Sequence, residues 1–148
     1  MKTKKSYGET NDLNLKTLVA LSRCFQSVRK REMKTIKGAG LTVAQFGVLE
    51  ILYHKGDLRI REIIEGTLST GGNMTVVIEN LEKIGFVSRY PDPKDGRASL
   101  IRITDKGRAL MNRTFGGHVE NIGEIFAVLD AQEKQELILL LKKLGTGT

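Results

Sequence analysis

The sequence has no tryptophan, a single cysteine, two prolines and two histidines. With Cys24 alone, no disulfide can close within the chain, which argues against a stapled extracellular scaffold and for a reducing compartment. No apolar run approaches the ~20 residues that span a bilayer. The basic start MKTKKSYGET is followed by NDLNL rather than by the apolar core of a signal peptide. The expectation is a cytoplasmic protein without a membrane partner. His54 and His118 lie far apart, with no cysteine or carboxylate at ligand spacing, so no metal centre is expected. No Ser-His-Asp, Cys-His or paired-carboxylate arrangement can be argued, and the reading is of no enzyme and no cofactor. Neither an internal repeat nor a low-complexity segment is visible.

What is present is charge, unevenly placed. The 148 residues carry a formal net charge of +7. Residues 1–37 contribute +7 and residues 83–108 contribute +4, while residues 38–82 contribute −3 and residues 109–148 contribute −1. A basic total favours polyanion partners without proving one. The concentration in residues 83–108 carries more information, because both prolines, Pro91 and Pro93, fall in the same segment.

Hydrophobic spacing predicts the elements. Leu18, Leu21, Phe25 and Val28 recur at i, i+3, i+7 and i+10, one stripe of a long first helix from about residue 11 to residue 36, ended by KGAG at 37–40. LTVAQFGVLEILYHKG then predicts a helix with a capping box, Thr42 at the N-cap and Gln45 at N3, an inner face of Phe46, Leu49 and Leu52, and Gly56 as terminator. Leu58 and Ile60 suggest a short strand, and Ile63, Ile64 and Leu68 a short helix. Thr70 is the expected N-cap of the next helix, whose buried positions are Met74, Val77, Ile78 and Leu81 and whose C′ residue is Gly85.

FVSRY and ASLIRI flank PDPKDG, which reads as a β-hairpin with Asp95-Gly96 near its tip. Thr104 is expected to cap a fifth helix, along which Phe115, Val119, Ile122, Phe126 and Leu129 recur at coiled-coil-like spacing. Gly116-Gly117 inside it is compatible with a kink, a close helix contact or a local break. Asp130 and Glu133 cap a last helix with Leu137, Leu140, Leu141 and Leu144 apolar and Gly145 at its end. The fold class is mainly α with a small β wing. It is a winged helix-turn-helix over residues 41–104, with an N-terminal tail and dimerisation helix in 1–40 and C-terminal dimerisation helices in 105–148.

The outward side of the fourth helix is small and polar at its start. Gly71 and Gly72 let backbone N–H groups approach a phosphate. Thr70, Asn73 and Thr75 suit hydrogen bonds to base edges or phosphate, and Val76 suits a thymine methyl. Taken alone, this is equally an ordinary exposed helix start. A hairpin bearing Arg89, Lys94, Arg97 and Arg102 follows directly, and an extended arginine suits a narrow minor groove. Arg97 is expected at the tip, with Asp95 pairing a nearby arginine and fixing its direction. A solvated charged turn is the plainer alternative, which the conjunction with the helix disfavours.

At these residues the chain resembles a known family. DGRASLIRIT, Asp95 to Thr104, fits the D-x-R-x-x-x-(hydrophobic)-x-(hydrophobic)-T wing signature of the MarR (multiple antibiotic resistance) regulators. LTVAQFGVLEIL and GGNMTVVIENLEKIGFVSRYPDPKDGR are similar to that family's second helix and to its recognition helix plus wing. The resemblance covers nearly the whole chain. It implies a homodimeric transcription regulator, usually a repressor, with the recognition helix in the major groove of a pseudo-palindromic operator and Arg97, oriented by Asp95, in the minor groove. YHKG and STGGN are also similar to a branch that senses quinones and phenolic compounds, which implies release by a small aromatic ligand or an electrophile.

Cys24 sits beside the first apolar stripe, and the default expectation is a buried, inert thiol. The alternative is a sensor cysteine, although the thiol-peroxide sensors of the family place theirs nearer the start of the first helix. The apolar stripes of the first, fifth and sixth helices exceed what the remaining elements can cover, which predicts a two-fold dimer. The competing class of function is a winged-helix module that contacts protein instead of DNA, for which a cationic wing has no purpose.

Overall fold

A computed structural model of the chain describes residues 4–67 and 73–148. The element order is α1 (Glu9–Gly38), α2 (Val43–Lys55), β1 (Leu58–Arg59), α3 (Ile60–Gly66), α4 (Met74–Lys83), β2 (Val87–Asp92), β3 (Asp95–Ile103), α5 (Asp105–Phe126) and α6 (Ala131–Thr146). Residues 33–120 form one compact unit, and residues 1–32 with 121–148 form another. No single helix among the described residues is long and apolar enough to cross a membrane.

In the 33–120 unit, α2 is the centre. Its predicted inner face of Phe46, Leu49 and Leu52 is buried, but Val48 and Ile51 are buried as well, so the helix is enclosed on more than one side. Its capping box is formed as expected. The Gln45 N–H donates to Thr42 Oγ1 at 3.1 Å and the Thr42 N–H to Gln45 Oε1 at 3.0 Å, with Gly56 as the C-cap. Around α2 gather Ile36 and Leu41, Ile63 of α3, Met74, Ile78 and Leu81 of α4, Val87, Ile101 and Ile103 of the strands, and Met111 of α5.

The strands form one antiparallel sheet in the order β1-β3-β2. The predicted short strand is Leu58–Arg59, and Ile60 instead opens α3. Ile64 is exposed, and Leu68 lies outside the described residues. Helix α4 begins at Met74 with Asn73 as its N-cap, not at the expected Thr70, because the Asn73 carboxamide accepts the Thr75 N–H at 3.0 Å. It closes in a Schellman motif. Phe86 N–H reaches the Leu81 carbonyl, Gly85 N–H reaches that of Glu82, and Gly85 has φ +80°.

Thr104 joins the sheet to α5. Its backbone N–H donates to the Phe86 carbonyl, its hydroxyl donates to the Gly85 carbonyl at 2.6 Å, and its oxygen accepts from Gly107 N–H at 3.2 Å. The chain crosses so closely here that a Cβ on Gly107 would stand 2.3 Å from the Phe86 carbonyl oxygen. His118 is buried, its ring against Phe46 and its Nδ1 2.8 Å from the Thr35 hydroxyl. Gly116 and Gly117 lie within a continuous α5, and a Cβ on either would meet nothing within 4 Å, so neither a break nor a close contact occurs there.

The other unit has little core of its own. Ile125 is its buried apolar side chain among the described residues. Leu13, Leu18, Leu21 and Phe25 of α1 and Leu139, Leu140, Leu141 and Leu144 of α6 are exposed. Asp130 and Glu133 form the expected capping box, but α6 runs past Gly145 and ends at Gly147, which takes the left-handed conformation. Cys24 is exposed, contrary to the expected buried thiol, because the stripe beside it is itself uncovered within the chain.

Candidate nucleic-acid interface

Two exposed surfaces adjoin in the 33–120 unit, the outward side of α4 and the β2–β3 wing. On α4 the side chains of Asn73, Thr75 and Val76 are exposed, while Met74, Ile78 and Leu81 hold the opposite side in the core. Thr70, Gly71 and Gly72 lie outside the described residues. Asn73 uses its side-chain oxygen as the cap, which leaves both of its amide N–H groups to offer outward.

The wing turns at Pro93-Lys94, two residues before the predicted Asp95-Gly96. Proline at the second turn position fixes φ, and the Asp92 carboxylate accepts the Lys94 N–H at 2.9 Å, an Asx turn that outcompetes the Asp-Gly preference. Pairing then runs from Pro91↔Ser99 to Asp92↔Asp95, which leaves residues 96–98 opposite no β2 residue. Arg97 therefore stands in a bulge on β3, not at the turn. Among the described residues Asp95 pairs with no arginine side chain; its carboxylate accepts the Arg97 backbone N–H at 3.1 Å and so shapes the bulge itself.

Beneath this outer end the arginines are committed. Arg59 of β1 donates Nε to Asp92 Oδ2 at 2.8 Å, and Asp92 is buried. The Lys94 N–H first, and then Arg59, hold the Asp92 carboxyl below the usual carboxylate range. Arg102 of β3 donates Nε and Nη2 to Asp57 at 3.0 and 2.8 Å, its guanidinium lies 4.6 Å from the Tyr90 ring centroid, and the Tyr90 hydroxyl donates to the same carboxylate. Arg102 first, with Tyr90, lowers the Asp57 pKa, and the bond to Asp57 raises that of Tyr90. Arg89 pairs with Glu82 of α4 at 2.8 Å. Lys94 and Arg97 have no carboxylate partner among the described residues.

The Asp57, Arg59, Tyr90, Asp92 and Arg102 network was not foreseen. Asp92-Pro93-Lys94 carries a local signal for the Asx turn. The pairing of β1 with β3, Leu58↔Ile101 and Arg59↔Leu100, is what brings the other partners together, and although the short strand is expected from the sequence, the strand it pairs with is not.

The MarR family model matches residues 41–99, which takes in α2 through the wing bulge. Beyond that segment, the HTH-type transcriptional regulator MhqR of Bacillus subtilis (strain 168) is 36% identical over 132 residues, spanning 89% of this chain and 91% of that protein. The chain belongs to the MarR family. As a MarR-family protein it is a DNA-binding transcription regulator of the winged helix-turn-helix type. The structure of Sco3205, a MarR-family regulator from Streptomyces coelicolor solved in complex with DNA, shares the fold at a TM-score of 0.82 and 21% identity, over 98% of this MarR-family chain and 92% of that one. BpsR of Bordetella bronchiseptica, whose DNA binding is regulated by 6-hydroxynicotinic acid, is similar at a TM-score of 0.75 and 27% identity, over 88% of this chain and 98% of that one.

Proposed function

We propose that this regulator is a homodimeric repressor that reads a pseudo-palindromic operator and is released by a small aromatic compound. In this reading residues 41–104 are the DNA-binding lobe, and the helices of residues 1–40 and 105–148 dimerise. The observation that carries the DNA part is the division of charge in the wing. The inner arginines, 59, 89 and 102, are neutralised by carboxylates of the same unit, while Lys94 and Arg97 at the outer end are left for an outside anion. Arg97 enters the minor groove, Lys94 contacts phosphate, and Asp95 sets the bulge that aims Arg97. Helix α4 enters the major groove, with Thr75 and Val76 at base edges, Asn73 donating through its amide, and the segment Thr70, Gly71, Gly72 against the backbone. Arg89 contacts phosphate only by sharing itself with Glu82.

The dimer is supported by the unit of residues 1–32 and 121–148, which exposes apolar side chains on both α1 and α6. Two copies present two α4 helices to half-sites about one helical turn apart. Release by an aromatic ligand is supported by the likeness to BpsR. Cys24, being exposed, supports a second reading in which an electrophile is captured covalently at its thiol. A quinone that still releases DNA from Cys24→Ser argues for non-covalent binding, and release lost in that variant with DNA affinity intact argues for the thiol. Selection of bound duplexes from a random pool tests the main reading. A palindrome with half-sites about one turn apart is expected, and recovery of no common sequence would reject it.

A further inference from the structure

The first helix carries a second surface, on the side away from its apolar stripe, that the DNA-binding reading does not use. Lys16, Arg23 and Lys30 recur every seven residues, are exposed, and have no carboxylate partner among the described residues. Seven residues are nearly two turns, so these cations stand in one row about 21 Å long. Glu9, seven residues before Lys16, ends the row with the opposite sign. The stripe of Leu18, Leu21, Phe25 and Val28 lies roughly 180° around the axis, at 3.6 residues per turn. A partner that covers the stripe therefore leaves the row in water.

The row begins at a pocket. Residues Lys5 to Gly8 run back beside the first turns of α1, bent at Gly8 with φ +93°, and Asp12 fastens them. The Asp12 carboxylate accepts the Ser6 hydroxyl at 2.6 Å and the Tyr7 N–H at 2.9 Å, while Asn11 Nδ2 donates to the Tyr7 carbonyl at 3.0 Å. Asp12 is thus committed to the fold of the segment and does not neutralise the row. The space enclosed is about 420 Å³, with Leu15, Val19 and Tyr7 in its lining and Lys5, Lys16 and Arg23 at its rim. Leu15 and Val19 are each about half exposed (49% and 47%), which leaves apolar area to be covered.

Charge and shape together select the occupant. The unpaired cations call for carboxylates or phosphates spread over the length of the row, and the pocket calls for one bulky apolar group beside them. A second copy of the chain carries the same cations and a net charge of +7, so it is repelled from this side. Duplex DNA supplies the charge, but filling the pocket would require it to flip a base, at a cost of a few kcal/mol. A bilayer draws an amphipathic helix by its apolar side, which here is the opposite one. An acidic stretch of polypeptide supplies both groups at no such cost.

We infer that the basic side of α1, with the pocket at its start, docks an acidic segment of another protein, one large apolar residue of which fills the pocket. Carboxylates of that segment pair with Arg23 and Lys30 along the row, and the apolar side chain lies on Leu15 and Val19 beside Tyr7. The contact is one of rim charges around a single anchor, so it is reversible and weakens with salt. This inference goes beyond the operator reading and does not depend on it.

The test is fluorescence anisotropy of the full chain with a labelled, flexible peptide that carries glutamates on both sides of one phenylalanine. One peptide per chain is expected, weaker by about tenfold when alanine replaces the phenylalanine, and weaker again when glutamines replace the glutamates. Arg23→Gln combined with Lys30→Gln should weaken the peptide about tenfold, the loss of two exposed ion pairs, with binding of random duplex DNA unchanged. Lys142→Gln combined with Lys143→Gln removes the same charge from α6 and should leave peptide binding as it is. Circular dichroism should match wild type for both variants. Absence of saturable binding, wild-type affinity after the Arg23 and Lys30 changes, or an equal loss after the Lys142 and Lys143 changes would overturn the site. Loss of duplex binding, or of co-sedimentation with phosphatidylserine vesicles, on changing Arg23 and Lys30 would assign the row to that polyanion and overturn the inference equally.

Discussion

In the proposed reading, Arg97 and Asn73 divide the work of binding in ways that single substitutions can separate. Arg97 is exposed and free of carboxylates among the described residues, so Arg97→Ala should leave fold and assembly intact, weaken DNA binding, and reduce the salt slope by about one. An unchanged slope in a mobility-shift series would remove the wing from the interface. Asn73 caps α4 through its oxygen and has its amide N–H groups left over. Asn73→Asp keeps the cap and removes those donors. It should hold stability near wild type while reordering the preferred sites, whereas Asn73→Ala should in addition cost about 1 kcal/mol of stability. If Asn73→Asp binds the wild-type site ranking, Asn73 is a cap alone. Gly107 is limited by its neighbour: Gly107→Ala must displace the Phe86 carbonyl and should destabilise by roughly 1–3 kcal/mol, read from a denaturant midpoint.

Among the elements, the wing shows how local and distant signals compete. The alternating strands of FVSRY and ASLIRI, the capping boxes at Thr42 and Asp130, and the end of α4 at Gly85 were all legible, because each is decided by residues within a few positions of one another. The turn was misplaced by two residues because Asp95-Gly96 is a strong hairpin signal by itself, and what defeats it includes Arg59, distant in the chain, holding Asp92. The start of α4 was misread for a similar reason. Thr70 and Asn73 are both good caps, and composition does not choose between them. The candidate site was legible as a conjunction of helix and basic hairpin. The neutralised arginines beneath it were not, since their partners meet only through tertiary pairing. These pairs imply a pH dependence. Asp57 and Asp92 both have folded pKa values below the model-peptide 3.8. Their stabilising contribution is therefore complete above about pH 4 and is lost as pH falls through the lowered folded values. Thermal melts from pH 5 down to pH 2 should show a steep loss, and Asp92→Asn, less stable at pH 5, should show a shallower one. Parallel curves would mean that the wing ties do not contribute to stability.

At the scale of the molecule, the contrast between the two units is the strongest argument for assembly. The 33–120 unit buries a continuous core from Ile36 to Met111, and the other buries Ile125 while leaving leucines of α1 and α6 in water. Fully covering each such leucine contributes roughly 1.5–3 kcal/mol, so a second copy is the natural cover. Sedimentation equilibrium should give twice the chain mass of 16.4 kDa. Leu18→Lys combined with Phe25→Asp should yield a monomer that loses helical signal, while the Ile36–Met111 core stays folded. A monomeric wild type with full helicity would contradict this. The exposed thiol belongs to this scale too: Cys24 is expected to be buried because it lies beside an apolar stripe, and in the single chain that stripe is uncovered.

The bulge at residues 96–98 has one more consequence, in time rather than in space. Ile101 and its neighbours on β3 are flanked by β1 and β2, so their amides should exchange with deuterium slowly. The amides of Ala98 and Gly96 face no strand and should exchange within the fastest phase. The same finger is then stiff at its root and quick at its end. In the proposed reading, its outer arginine samples a groove by small, rapid excursions, without the whole hairpin having to detach and return.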